Sequence, residues 1–223
     1  MEPKILLKKM KGSLGEGTWT ALAQLSSSEK GDPFKVLIST ILSHRTRDER
    51  TSEATNKLFS RYKDADELAK ADPSEVVELI NGVGFYNVKS RRIIEVARII
   101  KEKYNGKVPN KMEELLTIPS VGRKTANCVL VYGYKIEAIP VDTHVHRVAN
   151  RIGIAHSKNP DDTERQLEEY FPKGYWLEVN DLFVRFGKTV CKPLGPRHDL
   201  CLLRNDCEYY RSLGEHGMHK SGK

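Results

Sequence analysis

Lys124 and Asp142 are the two side chains around which a reaction can be written. Ile118-Pro119-Ser120-Val121-Gly122-Arg123-Lys124-Thr125-Ala126 reads as a tight hairpin running into a helix. Pro119 pre-sets one backbone angle, Gly122 permits a left-handed or close-approach conformation, and Lys124 falls on the first helical turn. A helix that starts there presents unpaired N–H groups and the positive end of its dipole, which suits a phosphate oxygen. The same helix end and Arg123 disfavour the charged form of Lys124. A free amine beside a bound phosphate backbone can attack a sugar carbon. Pro140-Val141-Asp142-Thr143-His144-Val145 supplies a carboxylate from a second loop. Each residue also has an ordinary reading. Gly-Arg-Lys after a turn is commonly solvated surface, and Asp is a favoured N-cap, a role Asp142 could combine with chemistry.

The elements around these residues are helical. Asp32-Pro33 opens a helix with a cap residue and a first-position proline, and Phe34, Leu37, Ile38, Ile41 and Leu42 follow helical spacing as core. Polar Ser43-His44-Arg45-Thr46-Arg47-Asp48 interrupts the pattern, which restarts through Ala54 and Leu58. A short helix over Asp64–Ala71 and another capped by Asp72-Pro73 follow. Ile80-Asn81-Gly82-Val83-Gly84-Phe85-Tyr86-Asn87 is a second glycine hairpin, leading into a helix over Val88–Tyr104 and echoing the hairpin at Ile118. Both are turns suited to joining antiparallel helices. Helices are then expected over Lys111–Thr117, Lys124–Val131, Thr143–Ile152, Pro160–Tyr170 and Tyr175–Lys188, with Cys128 a small core residue. Lys135–Val141 is the only strand candidate, and Pro140 demotes it. At the N-terminus Gly12, Gly15 and Gly17 should break any long helix, and Trp19–Leu25 has a short helical pattern. The fold class is therefore all-α.

The 223 residues can hold one large or two small domains. A net charge of +7, a pI near 9.1 and 30% charged residues favour an anionic partner, nucleic acid ahead of a membrane surface. No apolar run approaches the roughly 20 residues of a membrane span, and no signal-peptide core follows the Lys-rich start, so a soluble, intracellular protein is expected. Three of the four cysteines sit in a C-terminal pattern, Cys191-x6-His198-x2-Cys201-x5-Cys207. Such clustering in an apparently cytosolic chain points to metal rather than disulfides. Three thiolates and an imidazole suit either an iron–sulfur cluster or a structural zinc. The turn-rich Lys192-Pro193-Leu194-Gly195-Pro196-Arg197 insert could also meet phosphates.

Taken together, the hairpin with Lys124, the Pro-Val-Asp loop and the cysteine spacing resemble the helix-hairpin-helix–Gly/Pro-Asp DNA glycosylases, most closely their endonuclease III branch. The resemblance runs from about Phe34 to Cys207. It implies two helical domains, a six-helix barrel over 22–133 and a terminal domain of 1–21 with 134–223, with Lys124 and Asp142 facing each other across the cleft. It implies a bifunctional glycosylase and abasic-site lyase of base excision repair that removes damaged, oxidised pyrimidines. Lys124 would form a Schiff base, and Asp142 would stabilise positive charge on the sugar and accept the lysine proton. The partner would be double-stranded DNA with damaged bases or abasic sites, and the protein a cytoplasmic, nucleoid-associated monomer. Pro119, Ser120, Val121, Gly122, Arg123 and Thr125 would lie at a phosphate, with Ser120 where the family commonly has glycine. Phe85 resembles the family's duplex wedge, although a core phenylalanine is an equal reading. Arg45 stands where a gap-filling glutamine is usual, and His44 could contact backbone.

The resemblance also implies a [4Fe–4S] cluster on Cys191, His198, Cys201 and Cys207, where the family's second ligand is cysteine; zinc or no metal are the alternatives. His144 and His146 flank Val145 and cannot share a helix face, so they are not a paired metal site, and His144 is expected to support the Asp142 loop. Two further readings compete: a monofunctional mismatch, uracil or adenine glycosylase, and a helix-hairpin-helix DNA-binding module without catalysis.

Overall fold

A computed structural model describes residues 1–15 and 31–218; among them there are helices and loops and no strand. The expected helix over Trp19–Leu25 lies outside the described residues. The chain forms two compact units, Thr20–Ala138 and Met1–Trp19 with Ile139–Lys223.

The first unit is built on a helix, α2 (Pro33–Ser43), whose side chains from Val36 to Leu42 are all buried. A helix apolar on every side must be surrounded. It packs against α3 (Asp48–Arg61), α6 (Tyr86–Tyr104), α8 (Arg123–Cys128) and the π-helical turn Val129–Gly133 that continues α8. Burying each aliphatic side chain of α2 stabilises the fold by about 1.5–3 kcal/mol relative to leaving it in water. The start of α2 is fixed as the sequence suggests: Asp32 Oδ1 accepts from the N–H groups of Phe34 (2.9 Å) and Lys35 (3.2 Å), and Pro33 takes the first position. Asp64 and Asp72 cap α4 (Ala65–Leu68) and α5 (Pro73–Ile80) in the same way. The helix expected over Lys111–Thr117 shortens to the single turn α7 (Met112–Leu115).

The two hairpins share one construction. Val83 N–H donates to Ile80 O at 3.0 Å, and Val121 N–H donates to Ile118 O at 3.1 Å. All four of these side chains are buried, so each turn is pinned from beneath. The strained residue is not the expected one. Gly122 has φ −95°, ψ 178°, an extended conformation open to any residue, and acts as the N-cap of α8. Ser120 takes the left-handed conformation instead, at φ 67°. Two residues after a buried isoleucine the chain must turn back to bury Val121, and the reversal falls on Ser120.

The second unit holds α1 (Pro3–Ser13), α9 (Thr143–Ile152), α10 (Pro160–Tyr170), α11 (Trp176–Thr189) and α12 (Glu208–Met218). Helix α9 meets α10, α11 and α12, while α1 lies on α11. Phe171, Phe183 and Phe186 fill the middle together with Leu6, Met10, Val145 and Leu167. No long helix forms at the N-terminus, as the glycines suggest: α1 stops at Ser13, with Gly12 in its last turn. Leu6, Leu7 and Met10 bury one face, which outweighs the helix-propensity cost of glycine, about 1 kcal/mol. A side chain at Gly12 would come within 2.9 Å of Leu202 Cδ1, so the absent Cβ allows close packing. No helix among the described residues is long and apolar enough to cross a membrane.

Left-handed backbone at a residue with a Cβ costs about 1–2 kcal/mol, only partly offset by the extra unfolded-state freedom of glycine. Ser120→Gly is therefore expected to raise stability by about 0.5–1 kcal/mol in urea unfolding. A lower midpoint would mean that the serine hydroxyl has a bond worth more than the strain.

Candidate active site and metal centre

Gly122 ends the second hairpin and α8 begins with Arg123, so Lys124 lies on the first turn, half-buried. The N–H groups of such a turn have no acceptor inside the helix and point along its axis. Nothing stands within 4 Å of where a Cβ on Gly122 would be, so the approach to this helix end is open. Pro119, Ser120 and Arg123 are exposed beside it. Val121 and Thr125 turn inward and are buried, which removes their side chains from the group expected at a phosphate. Ala126, Asn127 and Cys128 are buried beside Thr125 on the same helix.

Thr125 faces His44, with Oγ1 3.4 Å from Nε2. Desolvation of the imidazole, followed by the positive charges of Lys124, Lys89 and Arg92, pushes the His44 pKa down from 6.5 to about 4. His44 is thus neutral near pH 7 and able to accept as well as donate. Next in sequence, Arg45 is left-handed at φ 53°, and its guanidinium lies 5.8 Å from the centre of the Phe85 ring. Phe85 is left-handed too, at φ 59°, and 62% exposed, which excludes the core reading for this ring.

In the other unit Asp142 caps α9. Its Oδ1 accepts from His144 N–H and Val145 N–H, each at 2.8 Å. The cap fixes the carboxylate at the helix start without burying it. His144 lies beside Arg147, with Nδ1 3.3 Å from Nη2, and burial pulls its pKa down although Asp142 opposes the shift. The Arg147 guanidinium also donates to Gly187 O (2.9 Å) and Cys191 O (3.1 Å). His146 points elsewhere, to Thr163 Oγ1 at 2.6 Å, consistent with two histidines that do not share a face.

Cys191, His198, Cys201 and Cys207 line one cavity, walled otherwise by Ile152, Phe186, Val190, Pro196, Leu203, Tyr209 and Tyr210 and by Arg197 and Arg204. The thiols are free, and burial raises the pKa of both Cys201 and Cys207. The His198 ring packs edge-on against Tyr210, centroids 4.7 Å apart. Arg151 holds the loop from α9: Nη1 donates to Lys192 O (2.7 Å), Nη2 to Pro193 O (3.0 Å), and Nη1 lies 3.6 Å from Cys191 Sγ. Among the described residues no three His, Cys, Asp or Glu side chains converge on a single ion. Soft donors spread around an apolar cavity fit a larger, thiolate-seeking group.

Comparison with known proteins places the chain. Residues 38–173 match the HhH-GPD superfamily of base excision DNA repair proteins. The chain belongs to that family. Within the HhH-GPD superfamily it is 50% identical over 184 residues to the endonuclease III of Thermotoga maritima, covering 82% of this chain and 86% of that protein. Its fold is similar to that of an endonuclease III in a non-covalent DNA complex, with TM-score 0.84, 29% identity and coverage of 95% and 96% of the two chains. A trapped endonuclease III–DNA covalent intermediate gives TM-score 0.81 and 28% identity over 94% of this chain and 96% of that one.

Lys89 escapes a sequence reading that counts lysine as surface. It is 5% exposed and donates to three oxygens, Leu42 O (2.7 Å), His44 O (2.6 Å) and Thr46 Oγ1 (3.0 Å). Burial pulls its pKa to about 8, while three acceptors favour the protonated amine. A signal was present: Lys89 lies on the helical stripe of Ile93, Val96 and Ile100.

Because native His44 refuses a proton that the unfolded chain accepts, the unfolded state binds more protons between pH 6.5 and about 4. Stability therefore falls as pH is lowered through that window. His44→Gln should flatten this part of the pH dependence, read as urea midpoints at a series of pH values. Parallel curves for the two proteins would contradict the assignment.

Proposed function

We propose that this chain is a bifunctional DNA glycosylase and abasic-site lyase of base excision repair, acting on duplex DNA with damaged, oxidised pyrimidines. The observation that carries the reading is Lys124, a half-buried amine on the first turn of α8 with an open approach at Gly122. Membership of the HhH-GPD superfamily and 50% identity to an endonuclease III support it.

The target nucleotide leaves the stack, at a cost of a few kcal/mol that is smaller for a damaged base. The flanking phosphate lies against the N–H groups at Gly122 and the start of α8, with Pro119, Ser120 and Arg123 around it. Phe85 and Arg45 enter the duplex where the base was. The Lys124 amine then attacks C1′ of the sugar. The N–C1′ bond forms, the glycosidic bond breaks, and the base leaves with the electron pair and is protonated. Asp142 accepts one proton from the new C1′–N nitrogen, the C1′–O4′ bond of the sugar ring then breaks with O4′ taking a proton, and the protonated Schiff base C1′=N forms. The Asp142 carboxylate also stabilises positive charge as it grows on the sugar. Removal of a proton from C2′ and departure of the 3′ phosphate complete β-elimination and nick the strand. A neutral His44 adds no positive charge against the amine.

Cys191, Cys201 and Cys207 with His198 would hold a [4Fe–4S] cluster, whose chemistry is to cross-link an otherwise irregular loop and to offer one-electron redox. Thiols raised by burial must lose protons to bind it, so loading is expected to weaken in acid.

Two measurements test this reading. On duplexes carrying thymine glycol, uracil, a G·T mismatch or an abasic site, the wild type should nick the first and last. Lys124→Ala should lose nicking by about 10³-fold or more, the scale of a lost nucleophile. Unchanged nicking by Lys124→Ala would contradict the assignment, and binding without any product would favour a non-catalytic module. Visible absorption with elemental analysis should find iron and acid-labile sulfide, reduced in Cys201→Ser; zinc without iron would contradict the cluster.

A further inference from the structure

Lys89 has no part in the chemistry above, yet its buried amine donates to three oxygens. Two of its acceptors, Leu42 O and His44 O, are carbonyls at the C-terminal end of α2 that no helix donor can reach. A cation at this end also meets the negative pole of the helix. Its third acceptor, Thr46 Oγ1, accepts a further bond from Gly84 N–H at 3.0 Å. The amine thus ties the polar loop after α2 to the hairpin that carries Phe85.

Arg45 lies between the tied positions 44 and 46. A Cβ on Gly84 would be 2.7 Å from Arg45 O, so the two backbones are in contact. Arg45 and Phe85 are both left-handed without being glycine, a conformation that persists only where the surroundings over-determine it. Their side chains, guanidinium over ring, stand out from this junction.

We propose that Lys89 is a positioning residue that holds Arg45 and Phe85 as one preformed wedge, which enters the duplex as a unit when the target base is extruded. The proposal rests on the glycosylase reading and deepens it. A wedge matters most when an intact nucleotide has to be driven from the stack and least when the base is already missing. Lys89→Met keeps the stem and removes the three donors. It should slow single-turnover release of thymine glycol by about tenfold, while cleavage of a preformed abasic site changes by less than about threefold.

The decisive arm is a double-mutant comparison. In an Arg45→Ala/Phe85→Ala background Lys89→Met should have no further effect on base release, because the side chains it positions are gone. Thr46→Val, which removes the bonds of Lys89 and Gly84 to Oγ1 and leaves the buried lysine its two carbonyl acceptors, should show the same substrate split if Lys89→Met folds poorly. Equal slowing on both substrates, or an undiminished effect in the double-alanine background, overturns the proposal. Failure of the wild type to cleave either duplex instead overturns the glycosylase reading.

Discussion

The structure depends on two buried side chains beneath a turn. Ile118 and Val121 are drawn into the core of their unit, and the Val121 N–H closes the turn on the Ile118 carbonyl. That burial forces Ser120 into left-handed backbone, puts Gly122 at a helix cap, and leaves the N–H groups of α8 facing outward. Lys124 is then placed by helix geometry, on the first turn of α8.

The same economy recurs in the other unit. Asp142 is a helix cap, and the two N–H groups that satisfy its Oδ1 also aim the carboxylate. From the body of α9, Arg147 and Arg151 reach the carbonyls of the loop that brings Cys191 to its cavity. One helix thus carries a carboxylate at its start and anchors the cysteine loop along its length. A structural role and a chemical one are compatible in Asp142 because they use the residue differently: the cap needs one oxygen, and electrostatic stabilisation needs only the net charge.

What could be read beforehand follows from which signals are local. Asp32-Pro33 and Asp72-Pro73 announce helix starts because cap and first-position chemistry involve neighbours in sequence. The two glycine hairpins were legible for the same reason. Signals that depend on distant partners were not. Which residue of the hairpin would be left-handed was decided by the burial of Val121, and the glycine beside it drew attention to the wrong position. Lys89 sits on a buried stripe of α6, but its role has no local sign because its three acceptors lie more than 40 residues away. Whether Phe85 is core was decided only by its exposure.

The central claim is that one particular amine becomes covalently joined to deoxyribose. Borohydride reduction of the wild-type protein on an abasic duplex, followed by proteolysis and mass mapping of the adduct, asks this directly. The sugar remnant should be found on the peptide containing Lys124 and on no other. Its appearance on another lysine or on the N-terminal amine, with the Lys124 peptide unmodified, would contradict the account.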